Sequence, residues 1–434
     1  MRGSGIVIVG AGAAGLEAAR ELRDRGHTPL VLEARDRVGG RIFTRRDPNL
    51  HVPIELGAEF IHGEAPTTAS LLSSAGLSSM EIRSEHSSAQ RGTLKRTDYW
   101  SAVDRVLKRV RTEGPDESLA SFLAGRPGGK RLTRDRRVTR RFVEGFHAAD
   151  PKRLSAQSIA TGSGESSSDS ASRLGRVTQG YGALVAWLAR DLGPSLRLGR
   201  EVTTIAWRRG RVTVQARAAS GRPGRYRARA VLVTVPIGVL RAGRHQAGGI
   251  EIQPEPPRLR RALEGLEAGA AVRVVLWFRE LPWREPGGSP GFNFLHLSGG
   301  PFQVVWTADP FRCPLATAWC GGPAAAALSR LPRGEALRVL RSQLAIALGM
   351  SPRRLARAIR RVWWHDWNRD PHARGAYSYA RAGARSASKL LTRPEEDTLF
   401  FAGEATDSRG GTVEAALASG RRAARQIDAA LRAR

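Results

Sequence analysis

Lysine is nearly missing from this chain. Only five of its 70 basic residues are lysine, and the arginines are spread along all 434 positions. The formal net charge of +30 therefore reads as a compositional drift toward arginine, and no nucleic-acid partner is expected. Such a charge disfavours polycationic ligands unless acids line their pocket. Cysteine is equally scarce. Cys313 and Cys320 cannot supply a disulfide framework, and two buried free thiols are expected. No apolar run approaches the roughly 20 residues that cross a bilayer. The first apolar run opens at Ile6, leaving no room for a signal peptide, so a cytoplasmic protein without a membrane span is expected. No spacing of His, Cys, Asp or Glu suggests a metal site, and none suggests a nucleophilic triad. The hydrophobic fraction of 41% suits a globular protein long enough for two intertwined domains.

What is present begins at Ile6. The run Ile6-Val7-Ile8-Val9 leads into Gly10-Ala11-Gly12-Ala13-Ala14-Gly15, then a helical pattern over Leu16 to Arg25, with Gly26 at the C-cap. A second apolar run, Leu30-Val31-Leu32, ends at Glu33. This order of strand, glycine turn, helix, strand and acid predicts dinucleotide binding. Gly10 permits the sharp turn, Gly12 lets backbone approach a pyrophosphate, and Gly15 lets helix pack on strand. The helix N-terminus offers N–H groups and a positive dipole end to phosphate. Glu33 stands where a carboxylate accepts ribose hydroxyls, and its charge argues against a 2′-phosphate there. Arg35, Gly39, Gly40 and Arg41 continue as a second glycine turn with guanidinium groups suited to phosphate.

The segment Val31-Leu32-Glu33-Ala34-Arg35-Asp36-Arg37-Val38-Gly39-Gly40-Arg41 resembles the signature of the flavin-containing amine oxidases, the family of monoamine oxidases, polyamine oxidases and histone demethylases. The resemblance continues at Leu56-Gly57-Ala58-Glu59 beside the flavin ring, with glycine allowing close approach, and at His62, a substrate-pocket position. It implies that the backbone of Val202 meets the adenine end, that Trp367 and the Gly375-Ala376-Tyr377 stretch face the cofactor, and that Gly403-Glu404 and the helix opening at Thr412-Val413 close around the flavin. That helix N-terminus can stabilise negative charge on reduced flavin. Three departures stand out. Arg273 replaces a family lysine that holds a water near flavin N5, and Arg cannot release a proton. Ala376 stands where monoamine oxidases carry the cysteine that bonds flavin, so noncovalent FAD is implied. Tyr377 matches the first of two substrate-flanking tyrosines, and Thr412 replaces the second.

The resemblance implies an α/β fold: a discontinuous Rossmann-like FAD-binding domain (residues 1–63, 195–250 and 395–434) and an α+β substrate-binding domain of mixed sheet and helices (64–194, largely helical, and 251–394). Strands are expected over Arg200–Ile205, Val212–Val214, Ala230–Val235, Ala271–Phe278, Phe302–Trp306, Leu315–Trp319 and Leu399–Phe401. Helices are expected over Tyr99–Arg111, Ser118–Leu123, Arg137–Ala148, Ala183–Asp191, Leu337–Leu348 and from Thr412 to Leu431, and a mobile loop over Ser163–Ser172. The expected activity is oxidation of an amine at its α-carbon with O2 as electron acceptor, with Arg273, Tyr377, Thr412 and His62 at the reacting end. The competing readings are an L-amino-acid oxidase with Arg273 clamping a carboxylate, a desaturase or protoporphyrinogen oxidase type, and a flavin-bearing protein that binds polyanions without turnover.

Overall fold

The computed structural model describes residues 5–90, 92–165, 173–280, 282–283, 292–407 and 410–433. Its organising element is a five-stranded parallel sheet. The order across it is Leu196–Arg197, Leu30–Leu32, Ile6–Val9, Ala230–Val233, Leu399–Phe401. Ile6–Val9 and Ala230–Val233 are buried at every position, which is why they read as unbroken apolar runs. The two ends of the chain meet on one face. Helix Ala13–Asp24 packs on the C-terminal helix Val413–Arg432, and Leu16, Leu22, Leu417 and Ile427 share one core. The other face carries the sheet Pro223–Ala228, Arg211–Ala218, Arg200–Arg208, Glu251–Gln253, whose Ile205 and Val214 pack with Val7, Val9 and Leu32.

The first helix starts at Ala13, three residues ahead of the Leu16 expected from periodicity. Its opening turn, Ala13-Ala14-Gly15, is buried but built from small residues, so a count of large side chains passes over it. Gly26 takes the expected left-handed cap, with φ +85° and its N–H on the Arg23 carbonyl at 2.9 Å.

A seven-stranded sheet forms the second layer. Its order is Ile359–Asp366, Ala271–Phe278, Leu315–Gly321, Val304–Thr307, Phe294–His296, His86–Gln90, Thr93–Arg96. The last two strands correct the expectation that residues 64–194 are largely helical. So does Ser79–Ile82, which pairs with Leu174–Val177, itself paired with Phe60–His62. Polar sequences such as His86-Ser87-Ser88-Ala89-Gln90 carry no apolar alternation, and their place is set by tertiary pairing. Among the described residues the α-helices of this region run over Pro66–Ser74, Tyr99–Leu107, Leu119–Ala124, Thr133–Gly145, Ala156–Glu165 and Tyr181–Ala189. Of the loop expected over Ser163–Ser172, residues 163–165 close a helix and 166–172 lie outside the described residues. The strand expected at Phe302 starts at Val304. Both cysteines are free; Cys320 is buried and Cys313 only partly so. Among the described residues no helix is long and apolar enough to cross a membrane.

The contact between the chain's two ends depends on Gly420. A Cβ there would lie 2.4 Å from the Ala14 carbonyl oxygen. Gly420→Ala should therefore push the two helices apart and cost about 1–3 kcal/mol. Gly334→Ala, where a Cβ meets nothing within 4 Å, should leave stability unchanged or slightly raised. Thermal unfolding of both variants checks this; a wild-type Tm for Gly420→Ala contradicts the packing described.

Candidate active site

The glycine turn is built for a ligand that has no side chain of its own to displace. Gly10 holds φ +104°, and a Cβ on Gly15 would fall 2.0 Å from the Gly10 carbonyl oxygen, so both are locked as glycine. At Gly12 a Cβ would meet nothing closer than 4.0 Å, so open space lies before the helix. Gly12 caps that helix without a side chain, leaving the first-turn N–H groups at Ala13 and Ala14 for a ligand. Glu33 is buried beside the turn. Its two oxygens accept the Ala11 N–H at 2.7 Å and the Arg35 N–H at 2.9 Å. Gly40 approaches the turn so closely that a Cβ on it would lie 3.5 Å from the Gly12 Cα. The strand carrying Val202 starts at the same point: the Arg200 N–H donates to the Glu33 carbonyl. These residues fit the dinucleotide end of FAD.

The arginines of the second turn are paired with acids. Arg35 binds Asp370 at 2.6 Å, and Arg41 binds Glu404 at 2.8 Å. Glu404 also accepts from Ser378, and Gly403, at φ +127°, donates its N–H to Ser419. A small cleft lined by Arg41, Pro236, Gly403, Glu404 and Thr406 opens past the carboxyl ends of Ala230–Val233 and Leu399–Phe401, the edge where doubly wound sheets take their ligands.

Leu56-Gly57-Ala58-Glu59 is laced in place from four sides. The Leu56 N–H donates to Phe43, the Leu56 carbonyl accepts the indole N–H of buried Trp367 at 3.0 Å, and the Ala58 N–H donates to Arg41. Gly57 was expected to be glycine so that a flat ring could approach. The close approach visible here is different: a Cβ would sit 1.9 Å from the Arg41 carbonyl oxygen. Arg273 donates to the Gly57 carbonyl at 2.6 Å and to Glu59, and lies over the Trp306 ring at 5.1 Å. Glu59 also takes Arg176 at 2.8 Å and the Trp306 indole N–H at 2.9 Å. The two guanidinia hold its carboxyl below the usual range against the opposing effect of burial, which is the largest. Glu55, at the end of the short strand Ile54–Glu55, has no guanidinium partner and accepts the Thr44 hydroxyl and the Tyr181 N–H. Burial pushes it up to about 7. Sequence reasoning missed Arg176, one arginine among many, and Trp306; their partner lies more than a hundred residues away.

The reacting end is a hollow. The His62 ring meets Phe146 edge-on at 5.5 Å and Phe60 at 6.1 Å. Tyr377 donates its hydroxyl to the Phe146 carbonyl, and burial pushes its phenol up. Trp319 donates to the Gly145 carbonyl at 2.8 Å. Burial holds His62 and His147 down at about 4, His62 adding to the effect on His147. Yet His62, His147 and Tyr377 all keep accessible surface, and Phe146 is 43% exposed. These side chains border an accessible space around Phe146. Tyr377 backs directly on Gly411, where a Cβ would come within 2.4 Å of its own Cβ, so the N-terminus of the last helix adjoins the hollow. Thr412 is that helix's N-cap: its hydroxyl accepts the Ala415 N–H at 3.1 Å. Val413 follows as its first residue. The structure thus groups His62 and Tyr377 around Phe146 with Thr412 and Val413 adjoining Tyr377, and buries Arg273 against Gly57, Glu59 and Trp306. Ala376 offers no atom for a covalent link to a cofactor.

A nucleotide turn, a second helix N-terminus and an aromatic hollow beside it define a dinucleotide-dependent oxidoreductase. The chain belongs to the family described as flavin containing amine oxidoreductase, whose model matches residues 13–428. Its cofactor is FAD, and it is an amine oxidoreductase. It is 28% identical to polyamine oxidase 1 of Oryza sativa subsp. japonica, over 97% of this chain and 96% of that one. It is 26% identical to lysine-specific histone demethylase 2 of Homo sapiens, over 98% of this chain and 53% of that one. The fold matches cyclohexylamine oxidase from Brevibacterium oxydans IH-35A with a TM-score of 0.80 at 21% identity, covering 99% of this chain and 100% of that one. It matches a putrescine oxidase with a TM-score of 0.78 at 23% identity, covering 98% and 99%.

The desolvated imidazoles make a prediction about pH. His62, His86 and His147 stay neutral in the fold down to about 4, whereas a free imidazole titrates near 6.5. Between those values the unfolded chain binds more protons. This contribution to stability is therefore whole above about 6.5 and is lost as pH falls toward about 4. Urea unfolding midpoints should drop between about pH 7 and about pH 5, and the drop should shrink in His62→Gln. Equal midpoints at the two pH values contradict the burial of these rings.

Proposed function

We propose that this protein oxidises an amine at its α-carbon, giving an imine that water converts to an aldehyde plus ammonia or a smaller amine. When bound, FAD supplies the hydride acceptor at N5, with O2 as terminal acceptor yielding hydrogen peroxide. The supporting observation is the neutral hollow of His62, Phe146, His147 and Tyr377 beside the N-terminus of the last helix. An ammonium lacks the lone pair that stabilises a developing iminium, so the amine must react unprotonated. Alkylamines in water hold their proton to about pH 10. A hollow walled by neutral rings desolvates the ammonium and lowers that value. Tyr377 is fixed as a neutral wall by its bond to the Phe146 carbonyl. The first-turn N–H groups at Val413 add a positive dipole end where negative charge develops. The division into a discontinuous FAD-binding domain and a substrate-binding domain forms part of this proposal.

An L-amino-acid oxidase needs a guanidinium free to clamp a carboxylate. Both terminal nitrogens of Arg273 are committed, one to Gly57 and one to Glu59, which favours a plain amine. Anaerobic mixing of the yellow holoenzyme with a panel of amines and amino acids tests the choice. At least one amine should bleach the flavin. Bleaching by amino acids alone overturns the proposal.

A further inference from the structure

Residues 202–250 hold ten arginines and no acid, in a chain with 40 acids among its 434 residues. A drift toward arginine replaces lysine; it does not remove carboxylates. The fold lays most of this stretch out as three antiparallel strands, Arg200–Arg208, Arg211–Ala218 and Pro223–Ala228. Val212, Val214 and Ala216 are buried, and Tyr226 and Ala228 pack on the same core, so alternation turns Arg211, Arg217, Arg225 and Arg227 to the other face. Arg208 joins them as the register partner of Arg211. Arg209, Arg222 and Arg229 stand at the strand ends, and all eight are exposed. Like charges directly opposite on neighbouring strands repel, yet Arg208 faces Arg211. Other exposed arginines meet acids, as Arg96 meets Glu85 and Arg260 meets Glu255. None of these eight forms an ion pair among the described residues. Two carboxylates border the face and both are engaged. Glu201, opposite Arg217, accepts the Gly248 N–H at 3.1 Å, and Glu251, opposite Thr204, meets Arg244 at 3.2 Å.

We propose that this face docks on an anionic lipid surface. The outward positions between the arginines are Thr204, Ala206, Thr213 and Gln215. No aromatic ring stands among them to stack on a base, and no helix is offered to a groove, so nothing here reads a nucleic acid. What the face presents is a plane of fixed guanidinia, three strands wide at about 4.8 Å between strands, and about 20 Å long from Arg211 to Arg217. A plane of cations complements a plane of phosphate headgroups, and each guanidinium fork takes phosphate oxygens in pairs. Near an anionic leaflet each such residue adds about fivefold to partition. The outward positions carry no large apolar side chain to insert, so docking is electrostatic, reversible and salt-sensitive. It stands independently of the amine-oxidation reading.

Co-sedimentation of the holoenzyme with vesicles tests this, using phosphatidylcholine alone or mixed with phosphatidylglycerol. At about 0.1 M NaCl, where the Debye length is about 10 Å, the wild type should sediment with the mixed vesicles only. Arg211→Gln, Arg217→Gln, Arg225→Gln and Arg227→Gln together should lower that partition more than about a hundredfold, with FAD content unchanged. Four arginines exposed elsewhere serve as the control: Arg333→Gln, Arg338→Gln, Arg353→Gln and Arg357→Gln together should lower it less than about tenfold. If the first variant does not fold, its two halves, Arg211→Gln with Arg217→Gln and Arg225→Gln with Arg227→Gln, should each lower partition about 25-fold. Equal losses in the sheet and control variants overturn the proposal, because overall charge then accounts for binding. Failure of the wild type to bind the mixed vesicles overturns it too. So does tighter binding to duplex DNA than to those vesicles at equal phosphate concentration.

Discussion

A single buried carboxylate, Glu59, ties this protein together. It is gripped by Arg176 from the strand Leu174–Val177 and by Arg273 from the strand Ala271–Phe278, while Trp306 donates from a third strand. These groups come from four distant parts of the chain. Charges removed from water are costly unless they meet and are hydrogen-bonded. The fold has few ways to satisfy them other than bringing the start of the strand Phe60–His62, the strand of Arg176 and the large mixed sheet to one point. Once they meet, Arg273 also holds the Gly57 carbonyl, and the backbone of Leu56 to Ala58 is fixed against Arg41 and Phe43. Hydrophobic burial supplies most of the stability; this ion cluster supplies registry.

The registry matters because function is assembled at a seam. The parallel sheet brings the glycine turn, Glu33 and the strand of Val202 to one end. The same sheet returns the last strand and helix, so that Gly403, Glu404 and Thr412 stand near Arg41 and Tyr377. The mixed sheet and the 145–149 turn bring Trp319, His147 and Phe146 to the other side. An arginine at position 273 suits this arrangement. A guanidinium has enough donors to hold Gly57 and Glu59 together, where an ammonium acts as a point charge.

Much of this was legible in the sequence, for local reasons. A Gly10–Gly15 turn between apolar runs carries its geometry in adjacent residues, and Glu33 follows at a distance the turn dictates. Ala271–Phe278 is apolar at every position but Arg273 because it is covered on both faces, so its limits were readable to the residue. The hidden part is long-range. His86–Gln90 is a strand because Phe294–His296 accepts it, not through its own pattern. The turn at Gly145 and Phe146 is set by Trp319 and Tyr377, residues more than a hundred positions away, and Arg176 by Glu59, which lies across a sheet. Alanine- and glycine-rich contacts, such as the first turn of the first helix against Gly420, also fall below the threshold of hydrophobic periodicity.

A double-mutant cycle between Glu59 and Arg273, read by urea unfolding and by retained FAD, probes the registry most directly. Glu59→Gln should leave Arg176 and Arg273 buried without their carboxylate, cost about 3–5 kcal/mol and shed cofactor; Arg273→Met, which leaves Glu59 paired with Arg176, should cost less, and the double variant should lose less than the sum. Strictly additive losses, with FAD retained in every variant, would contradict the claim that this ion cluster holds the two halves of the site in place.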